Sequence, residues 1–95
     1  MLDIAQIKDG IYTVIAEYPI KKVDLFGSYA DGTNHEKSDV DLLVEFMTSS
    51  ISLLTLNGLK YRLEEILKTE VDVIHGPIEK DALITIGKVV SLYES

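Results

Sequence analysis

Asp39 and Asp41 open the string "SDVDLLVEF", residues 38 to 46, with one apolar residue between them. Alternate residues of a strand share a face, so this spacing sets two carboxylates side by side at a strand entrance. Their mutual repulsion is relieved most simply by a divalent cation, and oxygen-only ligation selects a hard ion such as Mg²⁺. Asp72 lies between Val71 and Val73 in a second strand-like run, where a charge needs a partner or an exposed position. Three carboxylates on two neighbouring strands suit two metals about 3.5–4 Å apart, the clamp that serves attacking and leaving oxygens in phosphoryl transfer.

Gly27 and Ser28 supply the complementary chemistry. Glycine lets a ligand approach the backbone, and the N–H groups of a following helix start, with the Ser28 hydroxyl, are donors for phosphate oxygens. If the strands before and after this turn run antiparallel as neighbours, Ser28 falls next to Asp39 and Asp41. Each part has a plainer reading: Gly-Ser as a turn and cap, Ser38-Asp39 as a polar strand entry, Asp72 as edge protection. Together they point to a site that binds a nucleoside triphosphate, because the plain readings do not require the combination. His35 in the loop and His75 before Gly76-Pro77 have no second histidine near in sequence and read as surface residues. Tyr29 reads as ordinary packing, with a place beside a nucleotide as the alternative.

The elements that must position these groups follow from periodicity. Ile4, Ile7, Ile11, Val14, Ile15 and Tyr18 recur at helical spacing over residues 3 to 18, with Asp3 as cap and Pro19 as stop. "KKVDLF" (21 to 26) is a strand that ends at Gly27-Ser28, and residues 30 to 38 read as a loop. Over 39 to 46, Val40, Leu42, Val44 and Phe46 form one face and Asp39, Asp41, Leu43 and Glu45 the other. After cap signals at Thr48-Ser49-Ser50, residues 51 to 68 read as a helix with Leu53, Leu56, Leu59, Leu63, Ile66 and Leu67 inward, interrupted at Asn57-Gly58. "EVDVIH" (70 to 75) is a third strand, 82 to 87 a short helix and "VVSLYE" (89 to 94) a last strand. The order is α-β-loop-β-α-β-α(-β), an α/β (α+β) fold with a small mixed sheet flanked by helices.

The bulk properties limit what such a scaffold does. Ninety-five residues make one domain, residues 1–95. An apolar fraction of 46% with 26% charged residues is that of a folded protein, and no run approaches the length of a membrane span. No basic-then-apolar leader opens the chain, and there is no cysteine for disulfides or thiolate sites, so a cytoplasmic protein is expected. Nine basic residues against sixteen acidic give −7, without the basic stripe that long nucleic acid requires. The acidic excess suits divalent cations or a basic protein surface, and equally a solvated surface that aids solubility.

The string "GSYADGTNHEKSDVDLLVEF" resembles the signature of nucleotidyltransferases related to DNA polymerase beta, in which Gly-Ser precedes Asp-x-Asp by about this interval. With "EVDVI" one helix later, the whole chain resembles a minimal nucleotidyltransferase (MNT), the antitoxin partner of HEPN-type toxins. The resemblance implies Gly27 and Ser28 on the triphosphate of ATP, Asp39 and Asp41 on Mg²⁺, and Asp72 as third carboxylate, helping to hold a metal and to deprotonate the acceptor. It also implies transfer of AMP to a hydroxyl, a tyrosine of the partner toxin, in a type VII-like toxin–antitoxin pair, with homo- or hetero-oligomers as possible assemblies. One position departs: the family reads Gly-Ser-x-Ala-Arg-Gly, and here Asp31 stands where the arginine belongs. Alternatives are a module that sequesters a partner without chemistry, or nucleotidylation of an antibiotic; a one-domain site open on one side favours a protein acceptor over a small molecule.

Overall fold

The computed structural model describes residues 2–35, 38–48, 50–76 and 88–95. Helix α1 (Ile4–Ile15) begins where Asp3 caps it: Gln6 N–H donates to Asp3 Oδ1 at 2.8 Å, and Asp3 N–H donates to Gln6 Oε1 at 2.9 Å. Such a reciprocal cap stabilises a helix start by about 1 kcal/mol. Strand β1 (Ile20–Phe26) leads into one helical turn, α2 (Ser28–Asp31), so the expected loop starts two residues later than residue 30. Strand β2 (Val40–Phe46), helix α3 (Leu53–Leu67), strand β3 (Val71–His75) and strand β4 (Val90–Glu94) follow. The helix expected over 82–87 lies outside the described residues.

The four strands form one mixed sheet in the order β3-β2-β1-β4. β1 pairs antiparallel with β2 and β4, whereas β2 and β3 run parallel. The parallel pair follows from α3, which carries the chain back across the sheet before β3 begins. Val23, Leu25, Val40, Leu42 and Val44 line one face of the sheet, and α1 and α3 cover it with Ile7, Ile11, Val14, Leu59, Leu63 and Leu67. Each fully buried aliphatic side chain contributes roughly 1.5–3 kcal/mol relative to exposure. This half-core fixes the plane of the sheet from whose ends the polar side chains project.

Three details differ from the periodicity. α3 runs unbroken through Asn57-Gly58, and Gly58 packs beside Tyr18, where a Cβ would stand 3.1 Å from the tyrosine hydroxyl. The glycine here makes room for a neighbour and does not end the helix. The cap of α3 is Ser52, whose hydroxyl accepts from Thr55 N–H at 3.1 Å, not the Thr48-Ser49-Ser50 stretch. Leu53 in turn is 72% exposed, since the first turn of α3 overhangs the core. On β2, Leu43 shares the acidic face yet is buried, with Gly76 packed so closely that a Cβ there would sit 3.1 Å from Leu43 Cδ1.

Candidate active site

The parallel register of β2 and β3 pairs Val40 with Val71 and Asp41 with Asp72. One step earlier it sets Asp39 beside Glu70, whose carbonyl oxygen accepts from Val40 N–H at 3.0 Å. Asp-Val-Asp on one strand therefore lies against Glu-Val-Asp on the next, and four carboxylates gather at one end of the sheet. Asp39 and Asp41 are half-buried, while Asp72 is exposed on the edge strand.

Among the described residues these groups raise one another's proton affinity more than any cation lowers it. Burial pushes the Asp41 carboxyl above the ordinary aspartate range, the charges of Asp72 and Asp39 push it further, and a side-chain hydrogen bond with Asp72 adds to this. Glu70 is also raised, first by a side-chain hydrogen bond and charge from Asp39, then by desolvation and Glu64, with Lys60 opposing. Among the described residues no lysine or arginine forms an ion pair with Asp39, Asp41 or Asp72. A carboxylate pair pressed together without a basic partner fits a hard divalent cation. Among the described residues no three His, Asp or Glu side chains are already arranged as a metal-binding group.

The turn after β1 closes on the same point. Phe26 pairs with Asp41, so Gly27 leaves the sheet directly beside that carboxylate. Gly27 has φ 77° and ψ −156°, a conformation that is essentially confined to glycine. A Cβ at position 27 would run into the Asp41 carboxylate, with Cγ only 3.1 Å away. Sequence reasoning assigned this glycine to ligand approach; the structure adds that it yields its side-chain volume to Asp41.

In α2 the N–H groups of Ala30 and Asp31 donate to Gly27 O at 3.1 and 3.2 Å. The Ser28 and Tyr29 N–H groups precede the first bond of the turn and have no acceptor within it. Asp31 folds back on the loop: it accepts from Thr33 N–H at 3.0 Å and from the Thr33 hydroxyl at 2.6 Å, and these bonds hold its carboxyl below the usual range. Gly32, at φ 83°, then turns the chain out of α2. Tyr29 is buried in the core, as ordinary packing requires. His75 is exposed and lies edge-to-face on Phe46, with ring centroids 5.4 Å apart, at the opposite end of β3 from Asp72's neighbour Val71; His35 lies in the loop before β2.

Of the residues expected in the site, the fold thus brings Gly27, Asp41 and Asp72 into one row, with Ser28 opening α2 and Asp39 one step along β2. Glu70 was not anticipated. Its signal was present in the repeated acid-Val-Asp pattern at 39–41 and 70–72, which becomes meaningful only once the two strands are known to be parallel and in register.

A mixed sheet that carries a glycine turn and paired strand carboxylates at one rim is the frame of a nucleotidyltransferase. The chain belongs to the nucleotidyltransferase domain family, whose model matches residues 10–91. A Methanocaldococcus jannaschii chain bearing the name "Putative protein adenylyltransferase MJ0435" is 43% identical over 88 residues, covering 87% of this chain and 92% of its own length. Among solved structures, a toxin–antitoxin with AMP-PNP shares the fold with a TM-score of 0.77 at 22% identity, over 93% of this chain and 73% of that one. A tri-AMPylated Shewanella oneidensis HEPN toxin in complex with an MNT antitoxin matches with a TM-score of 0.70 at 17% identity, over 97% of this chain and 73% of that one. Among the described residues no helix is long and apolar enough to cross a membrane.

Proposed function

We propose that the chain transfers AMP from ATP to a hydroxyl of a partner protein, and that the partner is a HEPN-type toxin silenced by the modification. The observation that carries this reading is the contact between Gly27 and Asp41, which joins a phosphate turn to an uncompensated carboxylate pair. In the reaction an acceptor hydroxyl oxygen forms a bond to the α-phosphorus of ATP, the bond to the bridging oxygen of the β-phosphate breaks, and pyrophosphate leaves. Gly27 and Ser28 hold the triphosphate through backbone N–H groups and the Ser28 hydroxyl. Asp39, Asp41 and Asp72 are the carboxylates that would hold Mg²⁺, which when bound offsets the charge of the phosphates. Asp72, exposed at the sheet edge, also receives the proton of the acceptor hydroxyl.

The protein acceptor is supported by the same edge. β3 has no strand beyond it among the described residues, so the side of the site that carries Asp72 is open to a large partner. The names of the relatives support both chemistry and partner: one is called a protein adenylyltransferase, one is a complex with AMP-PNP, and one contains a tri-AMPylated HEPN toxin. A tyrosine acceptor and a cytoplasmic location belong to the same reading.

A second reading, sequestration of the partner without chemistry, is favoured by Leu53, Leu54 and Tyr61, which stand 72%, 83% and 64% exposed on α3. The two are separated by incubating the chain and its co-encoded partner with Mg²⁺ and ATP labelled on the α-phosphate. Transfer predicts label on the partner that is lost with Asp41→Asn. Full neutralisation of the partner by Asp41→Asn without any label would sink the transfer reading.

A further inference from the structure

A triphosphate at this rim meets four carboxylates, so its own negative charge needs a cation on the phosphate side. β1 and β4 pair antiparallel through Leu25 and Val90. Lys88 lies two residues before Val90, at the end of β1 from which Gly27 and α2 leave the sheet. β1 therefore has β2 with its carboxylates on one side and β4, which Lys88 leads into, on the other. Lys88 is exposed, and among the described residues no carboxylate forms an ion pair with it. Its charge does reach Asp31, as one of the lesser influences on that carboxyl, behind the hydrogen bonds from Thr33. Those bonds keep the Asp31 carboxylate turned to the loop, so the lysine is attracted without being captured. Other basic side chains are engaged elsewhere: Lys22 with Asp24, Lys60 with Glu64, and Arg62 with Glu17 and Glu65.

We propose that Lys88 is the cation of the phosphate half, its ammonium binding the β- and γ-phosphate oxygens of a triphosphate seated at Gly27 and Ser28, with Asp31 as the competing anion that sets its strength. The inference rests on the nucleotidyl-transfer reading and adds to it a residue that selects triphosphates over monophosphates. A lysine suits this role as a mobile point charge that follows the phosphates as they become pyrophosphate.

The test is equilibrium binding of ATP and of AMP to the full chain with Mg²⁺, by titration calorimetry, with circular dichroism to check the fold. Lys88→Ala is expected to weaken ATP about tenfold and leave AMP unchanged, and Lys88→Arg to restore most of the loss. Asp31→Asn is expected to tighten ATP several-fold in the native background and to have no effect beside Lys88→Ala. A merely structural lysine would not produce that non-additivity. Unchanged ATP binding by Lys88→Ala, or equal losses for ATP and AMP, overturns the inference and leaves the transfer reading standing. Failure of the unsubstituted chain to bind ATP overturns both.

Discussion

Two charged clusters in this small fold are built on opposite terms. Where α1 ends against α3, Arg62 Nε donates to Glu17 Oε1 at 3.0 Å and Arg62 Nη1 donates to Glu65 Oε1 at 3.0 Å. Here every charge has a partner: the hydrogen bond and charge of Arg62 hold the Glu17 carboxyl low, and Glu17 and Glu65 in turn raise the guanidinium. At the rim, Asp39, Asp41, Glu70 and Asp72 stand together: burial and the charges of Asp72 and Asp39 hold Asp41 high, and the hydrogen bond and charge of Asp39 hold Glu70 high. The arginine sits at an exposed corner, and among the described residues no basic side chain forms an ion pair with Asp39, Asp41 or Asp72. Charge that a fold could neutralise and does not marks the place where an outside cation belongs.

The contrast breaks most visibly at Asp41. Asp41→Asn is expected to lower AMP transfer by at least about 100-fold, measured with α-labelled ATP, because it removes charge from the centre of the row. The metal-free protein should meanwhile melt a few degrees higher, since a repulsive pair has been relieved. Lower activity with a higher melting temperature is the signature of a functional charge; a fall in both would make Asp41 an ordinary structural residue.

Gly27→Ala comes next. The conformation at Gly27 costs a residue with a side chain on the order of 1–3 kcal/mol, and the added methyl displaces the Asp41 carboxylate. Chemical denaturation should register the stability loss, and a larger proportional loss of transfer should accompany it. A variant of full activity would separate the turn from the carboxylates and dissolve the proposed site.

Mg²⁺ should then raise the melting temperature of the native chain, with chelator reversing the rise, and should do so only weakly for Asp41→Asn. An equal rise in both proteins would move the ion elsewhere.

The two clusters also respond to pH with opposite sign. A carboxyl raised in the folded state binds its proton more tightly there than in the unfolded chain. Asp41 and Glu70 therefore add stability to the metal-free protein as pH falls through their folded values, just above the ordinary carboxylate range. Glu17, held low, contributes above the ordinary range and loses that contribution as pH falls through its folded value. Melting curves across the acid range should flatten at the upper end in Asp41→Asn and at the lower end in Glu17→Gln. The smallest effect belongs to Glu17→Gln at neutral pH, because an exposed ion pair is largely screened by water; a large loss of stability there would show that the corner bears structural weight.

Much of this was legible in residue order. The α-β-α-β alternation, the Gly-Ser turn and the Asp-x-Asp spacing are local patterns, and local patterns survive in a sequence. Leu59, Leu63 and Leu67 were readable as core for the same reason, while Leu53 was misassigned because periodicity does not reveal where a helix overhangs the sheet. The Asn57-Gly58 break was misread because the reason for the glycine, Tyr18, lies forty residues away in sequence. Glu70 was missed for a related cause: its neighbour is Asp39 only through a parallel register, which no single stretch encodes. The family signature carried the rest, and the one position where it fails, Asp31, turns out to bond Thr33 within its own loop.

Asp41 occupies the volume that a side chain at residue 27 would fill, and that packing has a mechanical consequence. No room for a methyl group is left between the turn and the carboxylate, so on the proposed reading a triphosphate that drew the turn inward would press on Asp41. Nucleotide seating and cation loading would then be geared as one motion, with the absent side chain as the bearing on which they run.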